Sequence, residues 1–193
     1  MAAARLLVRL GTSPNAISVA GMICGLAAGA ALAATPFAPN LAPVLWIGAA
    51  VLIFLRLSAN MLECMLATEG RKASRFGELF NEVPDRIADS AILIGLGYSV
   101  GGHNILGYLA ALTAMFTAYV RAAVNVAGAP QNFCGPLAKP HRMAVVIGAA
   151  IIAVVLPGTH LPQYALMVIA IGSVVTALRR LGHAGGHLSK AMP

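Results

Sequence analysis

All six acidic residues of this 193-residue chain, Glu63, Glu69, Glu78, Glu82, Asp85 and Asp89, lie within one short stretch. Asn60, Glu63, Cys64 and Ala67 fall at i, i+3, i+4 and i+7, which is one face of a helix. Glu78, Asn81, Asp85 and Asp89 repeat the pattern further on, with Glu82 beside them. A carboxylate at the centre of a membrane span costs about 2.5 to 3.5 kcal/mol on insertion scales, so two such polar stripes point to ions, protons or substrate. Oxygen donors from Asp, Glu and Asn, without a His or Cys cluster, suit Mg²⁺ or Mn²⁺ rather than zinc. Arg56, Arg71, Lys72, Arg75 and Arg86 surround them and suit the phosphates that such metals bridge. The same residues also allow a plainer arrangement, a salt-bridged patch at the membrane interface.

The elements that carry these residues are membrane helices. The chain is 59% hydrophobic and 10% charged, with a mean hydropathy of +0.83, whereas soluble domains carry about 25% charged residues. Those figures exclude a soluble enzyme, a secreted disulfide scaffold, a collagen-like fibre and a disordered tail. Hydropathy and turn residues predict an all-α membrane protein of one domain, 1–193, with six transmembrane helices at about 17–35, 44–67, 80–100, 105–127, 143–157 and 162–181. A short amphipathic interfacial helix at 1–12, with Arg5 and Arg9 four apart, precedes them, and a Gly- and His-rich tail follows. No signal peptide is evident, because the first apolar segment runs on without a clear cleavage site. Loops 36–43, 101–104 and 158–161 hold no Lys or Arg. Both termini and the acidic stripes therefore belong at the cytoplasmic face, with a bacterial cytoplasmic membrane as the expected location. Trp46 stands near the outer start of the second span, as an interfacial anchor would. Gly21, Gly25 and Gly29 form a small-residue ridge that lets another helix approach closely. Cys24, Cys64 and Cys134 form no CxxC pair, and the five histidines form no metal site.

The stretch Asn60 to Asp85 (NMLECMLATEGRKASRFGELFNEVPD) resembles, without gaps, the signature D-x-x-D-G-x-x-A-R-x8-G-x3-D-x3-D of the CDP-alcohol phosphatidyltransferase family. Asn60 and Glu63 stand at the first two aspartates, Cys64 at the glycine, Ala67 at the alanine and Thr68 at the arginine. Gly77 stands at the second glycine, and Asn81 and Asp85 at the last two aspartates. Ser13-Pro14-Asn15-Ala16-Ile17-Ser18 resembles the family's T-P-N-x-I-T entry to the first span, and Tyr119-Val120-Arg121 resembles its Y-V-R motif. Six spans after an amphipathic helix are also the family's layout.

The resemblance implies transfer of a phosphoalcohol group, commonly phosphatidyl from CDP-diacylglycerol, to a hydroxyl acceptor with release of CMP, in phospholipid biosynthesis. It implies a site for two Mg²⁺ or Mn²⁺ ions held by Asn60, Glu63, Asn81 and Asp85, with Asp85 as catalytic base. Nucleotide binding falls to Asn60, Glu63, Cys64, Ala67, Thr68 and Gly77. Arg121, Lys139 and Arg142 bind the acceptor's phosphate or the lipid headgroup, while Arg179, Arg180 and Lys190 are membrane anchors. The partners are the CDP-alcohol, the hydroxyl acceptor and membrane lipids, without nucleic acid, and the assembly is a homodimer. Only Asp85 keeps its aspartate, so a second reading stays open: a non-catalytic member that binds lipid or nucleotide, or pairs with an active homologue through the glycine ridge. An ion or proton carrier is a third. The acceptor is not identified by the residues.

Overall fold

A computed structural model describes residues 14–69, 75–129 and 137–191. Six helices follow one another: α1 Pro14–Ala34, α2 Ala42–Glu69, α3 Arg75–Tyr98, α4 Asn104–Val126, α5 Lys139–Val155 and α6 Leu161–Ala191. A single turn of 3-10 helix, Pro39–Leu41, leads into α2. No strand occurs among the described residues. The amphipathic helix expected at 1–12 lies outside them.

The punctuation follows local chemistry. Pro14 opens α1, where a missing N–H and a fixed φ are harmless, and Pro36 follows soon after its end. Thr35 closes that end: its hydroxyl donates to the Leu32 carbonyl at 2.8 Å and accepts from the Val100 amide at 3.0 Å. The turn after α3 is thereby tied to the turn after α1. Gly101 has φ +73, and a Cβ there would collide with the Thr159 carbonyl oxygen, so this tight turn has room for no other residue.

α1 packs mainly on α3 and α2, α4 on α6 and α3, and α2 on α5. The glycine ridge makes the first of these contacts possible. A Cβ on Gly29 would stand 2.7 Å from the Ala91 carbonyl carbon, and one on Gly95 would stand 2.7 Å from the Gly29 Cα. Backbone meets backbone there, which only glycine permits. The ridge is therefore occupied inside the chain and is not a free face for a second one; a homodimer would have to use another surface.

Leu32, Ile53, Ile92, Leu93, Leu96, Met143, Val146, Leu166 and Ile169 fill the main core. Large apolar side chains such as Ile23, Val44, Phe54, Leu112, Val155 and Ile171 point outward. Four helices, α1, α2, α4 and α6, are long and apolar enough to cross a membrane. An outward-facing apolar surface on helices of that length makes this an integral membrane protein. α3 carries the acidic stripe, and α5 has only 17 residues.

Two expectations are corrected. Trp46 is not an interfacial anchor: it is 3% exposed and belongs to the core. The tail expected after residue 181 is helix as far as Ala191, through Gly182, Gly185 and Gly186. No proline interrupts it, and Ala184 and Leu188 pack with Val120, Val124 and Ala177, which offsets the roughly 1 kcal/mol that each glycine costs a helix.

Candidate active site

Five helices converge at one end of the bundle. α2 supplies Arg56, Asn60 and Glu63, and α3 supplies Glu82, Asp85, Arg86 and Asp89. α4 brings Thr117 and Arg121, α5 brings Lys139 and Arg142, and α6 brings Arg180. Helical spacing aligns each set: 56, 60 and 63 are one turn apart, as are 82, 85 or 86, and 89.

Asp85 is the centre. Its Oδ1 accepts from Asn60 Nδ2 at 3.0 Å and from Arg56 Nη2 at 3.3 Å, and its Oδ2 pairs with Lys139 Nζ. Behind it Arg56, 1% exposed, also donates to the Asp85 carbonyl at 3.1 Å and lies 2.5 Å from Asp89 Oδ1. Asp89 Oδ2 faces Arg142 Nη2 at 3.9 Å. One buried carboxylate thus stands between two buried guanidiniums, where each ion offsets the desolvation of the other.

In front of Asp85 opens a cavity of about 320 Å³ lined by Asn60, Glu82, Arg86, Arg121, Lys139, Arg142 and Arg180, among others. Thr117 sets two of its cations. Its hydroxyl accepts from Arg142 Nη1 at 3.1 Å, and its carbonyl accepts from Arg180 Nη1 at 3.1 Å. Arg142 Nη1 also donates to the Leu137 carbonyl at 3.3 Å. Glu82 also lines the cavity, with Oε1 on Arg121 and Oε2 at 3.0 Å from Arg86 Nη2.

Of the expected residues, Asn60, Glu63 and Asp85 share one end of the bundle, and Arg121, Lys139 and Arg142 share the cavity with Asn60 and Asp85. Backbone places Cys64, Ala67 and Thr68 at the end of α2, and Gly77 and Asn81 at the start of α3; their side chains lie outside the described residues. Arg180 is not a mere membrane anchor, because it lines the cavity and is held by Thr117. Arg56 and Asp89, expected among the surrounding cations and in the second polar stripe, form the buried support behind Asp85, and Thr117 is a residue that the sequence reading missed. Asp89 continues the α3 stripe, and Arg56 precedes Asn60 by one turn. Thr117 carried no such signal, since its part depends on α5 and α6 folding back onto α4.

Among the described residues no three His, Cys, Asp or Glu side chains form a ready-made metal centre. The donors nevertheless fit a hard divalent ion. Glu63 is 4% exposed with a buried Oε2 that has no hydrogen-bond partner, and Asn60, with Nδ2 spent on Asp85, keeps its amide oxygen for coordination.

A six-helix membrane bundle whose polar end sets carboxylates against a cationic cavity is built for metal-assisted chemistry on phosphates. The chain is 30% identical over 190 residues to the phosphatidylinositol phosphate synthase of Mycolicibacterium smegmatis, covering 92% of this chain and 80% of the relative. It therefore belongs to the CDP-alcohol phosphatidyltransferase family and is an enzyme of that class, moving a phosphatidyl group from a CDP-alcohol in phospholipid synthesis. The enzyme of the same name from Streptomyces avermitilis is 28% identical over 189 residues, covering 92% and 74%. The crystal structure of Mycobacterium tuberculosis phosphatidylinositol phosphate synthase with CDP-DAG bound superposes with a TM-score of 0.74 at 23% identity, over 94% of this chain and 90% of the other. That enzyme's complex with manganese and citrate gives 0.75 at 23% identity, over 94% and 86%. No family model matches the chain.

Proposed function

We propose that this enzyme transfers phosphatidyl from CDP-diacylglycerol to a phosphorylated polyol of the inositol phosphate type, releasing CMP. The observation that carries this reading is the cavity beside Asp85, where, among the described residues, Arg86, Arg121, Lys139, Arg142 and Arg180 face Glu82 and Asp85 as lining carboxylates. A neutral polyol has no use for so many cations, whereas a phosphate makes charge-assisted hydrogen bonds with them. The names of the relatives, phosphatidylinositol phosphate synthases, support the same acceptor.

Asn60, Glu63, Asn81 and Asp85 would hold Mg²⁺ or Mn²⁺; the use of such a metal is supported by the structure of similar fold in complex with manganese. Bound there, the metal supplies Lewis-acid polarisation of the pyrophosphate and neutralises the departing CMP. The nucleotide lies along the end of α2 and the start of α3, near Cys64, Ala67, Thr68 and Gly77. Asp85 takes the acceptor's hydroxyl proton, the freed oxygen attacks the phosphorus that bears diacylglycerol, and the bond from that phosphorus to CMP breaks. Asn60 and Arg56 fix Asp85 through Oδ1, so the working oxygen is Oδ2. Lys139 holds that oxygen in the absence of acceptor. An arriving phosphate draws the ammonium onto itself and frees Oδ2 at the moment a base is needed. Arg142, anchored by Thr117 and Leu137, is the rigid part of the acceptor site.

All six helices cross the membrane, with the site at the cytoplasmic face of a bacterial cytoplasmic membrane. The basic loops and the water-soluble substrates support this orientation.

The test is a competition for acceptor. Purified enzyme in micelles with CDP-diacylglycerol and Mg²⁺ or Mn²⁺ receives equal inositol 1-phosphate and inositol, and the lipid product is weighed by mass spectrometry. The expected product carries the extra phosphate. A product formed from inositol alone overturns the assignment.

A further inference from the structure

Glu82 stands out in the acceptor cavity because its carboxylate sits where a substrate's negative charge belongs. Asp85, the other lining carboxylate, is buried and fastened by Arg56, Asn60 and Lys139. Glu82 is different. Its side chain is 39% exposed, and its two oxygens rest on two guanidiniums of the cavity, Arg121 from α4 and Arg86 one turn along α3. Both are themselves partly exposed, at 27% and 20%, and an ion pair in contact with water is weak and exchanges readily. Nothing in the metal-binding assignment uses Glu82, and it lies on the side of Asp85 that faces α4.

We propose that Glu82 is a specificity-determining residue that acts as an internal stand-in for the acceptor's phosphate. This rests on the reading of the cavity as a phosphate site. Without acceptor, the Glu82 carboxylate neutralises Arg121 and Arg86. A phosphorylated polyol displaces it: the phosphate takes Arg121, and the carboxylate turns to water, which its exposure allows. The exchange sets a threshold. Small anions such as orthophosphate gain only the freed guanidinium in exchange for displacing Glu82, whereas the polyol also gains hydrogen bonds deeper in the cavity. Glu82 thereby weakens every phosphate that binds and selects those attached to an acceptor.

The experiment uses Glu82→Gln, which keeps shape and removes charge, in the full-length enzyme with CDP-diacylglycerol and Mn²⁺. Two numbers are read: KM for inositol 1-phosphate, and the inhibition constant of orthophosphate. Losing the competing ion pair and the like-charge repulsion lowers both by about three- to tenfold, with orthophosphate gaining more than the acceptor; equal gains overturn the specificity role. Glu82→Ala shifts both in the same direction. The KM for CDP-diacylglycerol moves less than about twofold, which separates this role from metal ligation. Unchanged or raised values for both phosphates overturn the proposal, and so does loss of Mn²⁺-dependent affinity for the CDP-lipid. If the wild-type enzyme neither uses inositol 1-phosphate nor is inhibited by orthophosphate, the phosphate reading of the cavity falls and this proposal with it. If it does both and Glu82→Gln changes neither, the proposal alone falls.

Discussion

Replacing Arg56 by Met tests whether the buried charges behind the site are held by mutual neutralisation. Arg56 is 1% exposed and lies against both Asp85 and Asp89, which are 8% and 3% exposed. Methionine fills much of the same space but leaves two buried carboxylates one helical turn apart. Lys139 still faces Asp85, and Arg142 faces Asp89 only at 3.9 Å. Removing one partner of a buried pair costs about 3 to 5 kcal/mol, most of it the desolvation of the charge left behind. For a chain of this size each kcal/mol moves the melting temperature by about 2 to 4 °C, so a fall on the order of 10 °C is expected. Thermal unfolding in detergent, followed by circular dichroism, reads it. The double variant Arg56→Met with Asp89→Leu removes both members and should recover at least half of the loss, because an apolar pair needs no neutralisation. A loss below about 1 kcal/mol for Arg56→Met refutes the reasoning. A double variant no more stable than the single one refutes it as well.

Other variants address packing. Gly29→Leu drives a side chain into the backbone of α3 at Ala91 and is expected to cost about 3 kcal/mol or more, or to abolish folding. Gly48→Ala, where an added Cβ meets nothing within 4 Å, is neutral or stabilising by up to about 1 kcal/mol; thermal unfolding of the pair gives the contrast. Ala184→Glu places a charge in the small cluster of Val120, Val124 and Ala177 and should release the end of α6. Limited proteolysis then cuts after residue 181 much faster than in the wild type, and an unchanged rate contradicts the packing described for this segment.

Most of the bundle was legible in the sequence because apolar runs of about 20 residues and Pro- or Gly-bearing turns leave few alternatives. Each helix overlaps an expected span, the last running on to Ala191, and Asn60, Glu63 and Asp85, picked out by their spacing, share one end of the bundle with the cationic cavity. What escaped depended on contacts between distant elements. A lone Trp near a span end reads as an anchor, yet Trp46 fills the core, since burial is decided by neighbours that hydropathy does not reveal. The glycines of α1 announce a close contact without saying with what, and the partner is α3 of the same chain. Arg180 resembled a tail cation because nothing local distinguishes an anchoring arginine from one held over a cavity by the carbonyl of Thr117. The Gly- and His-rich tail was placed beyond the last span, but packing of Ala184 and Leu188 overrides the weak helix propensity of its glycines and continues α6.

The most direct measurement is CMP release from CDP-diacylglycerol by the wild-type enzyme and by Asp85→Asn, with Mn²⁺ or EDTA and with inositol 1-phosphate present. The account predicts release that needs both metal and acceptor, and a fall of at least about a hundredfold in Asp85→Asn, the loss expected for a general base, in protein that remains folded. Release that persists in EDTA, or an Asp85→Asn enzyme working within tenfold of wild type, contradicts it.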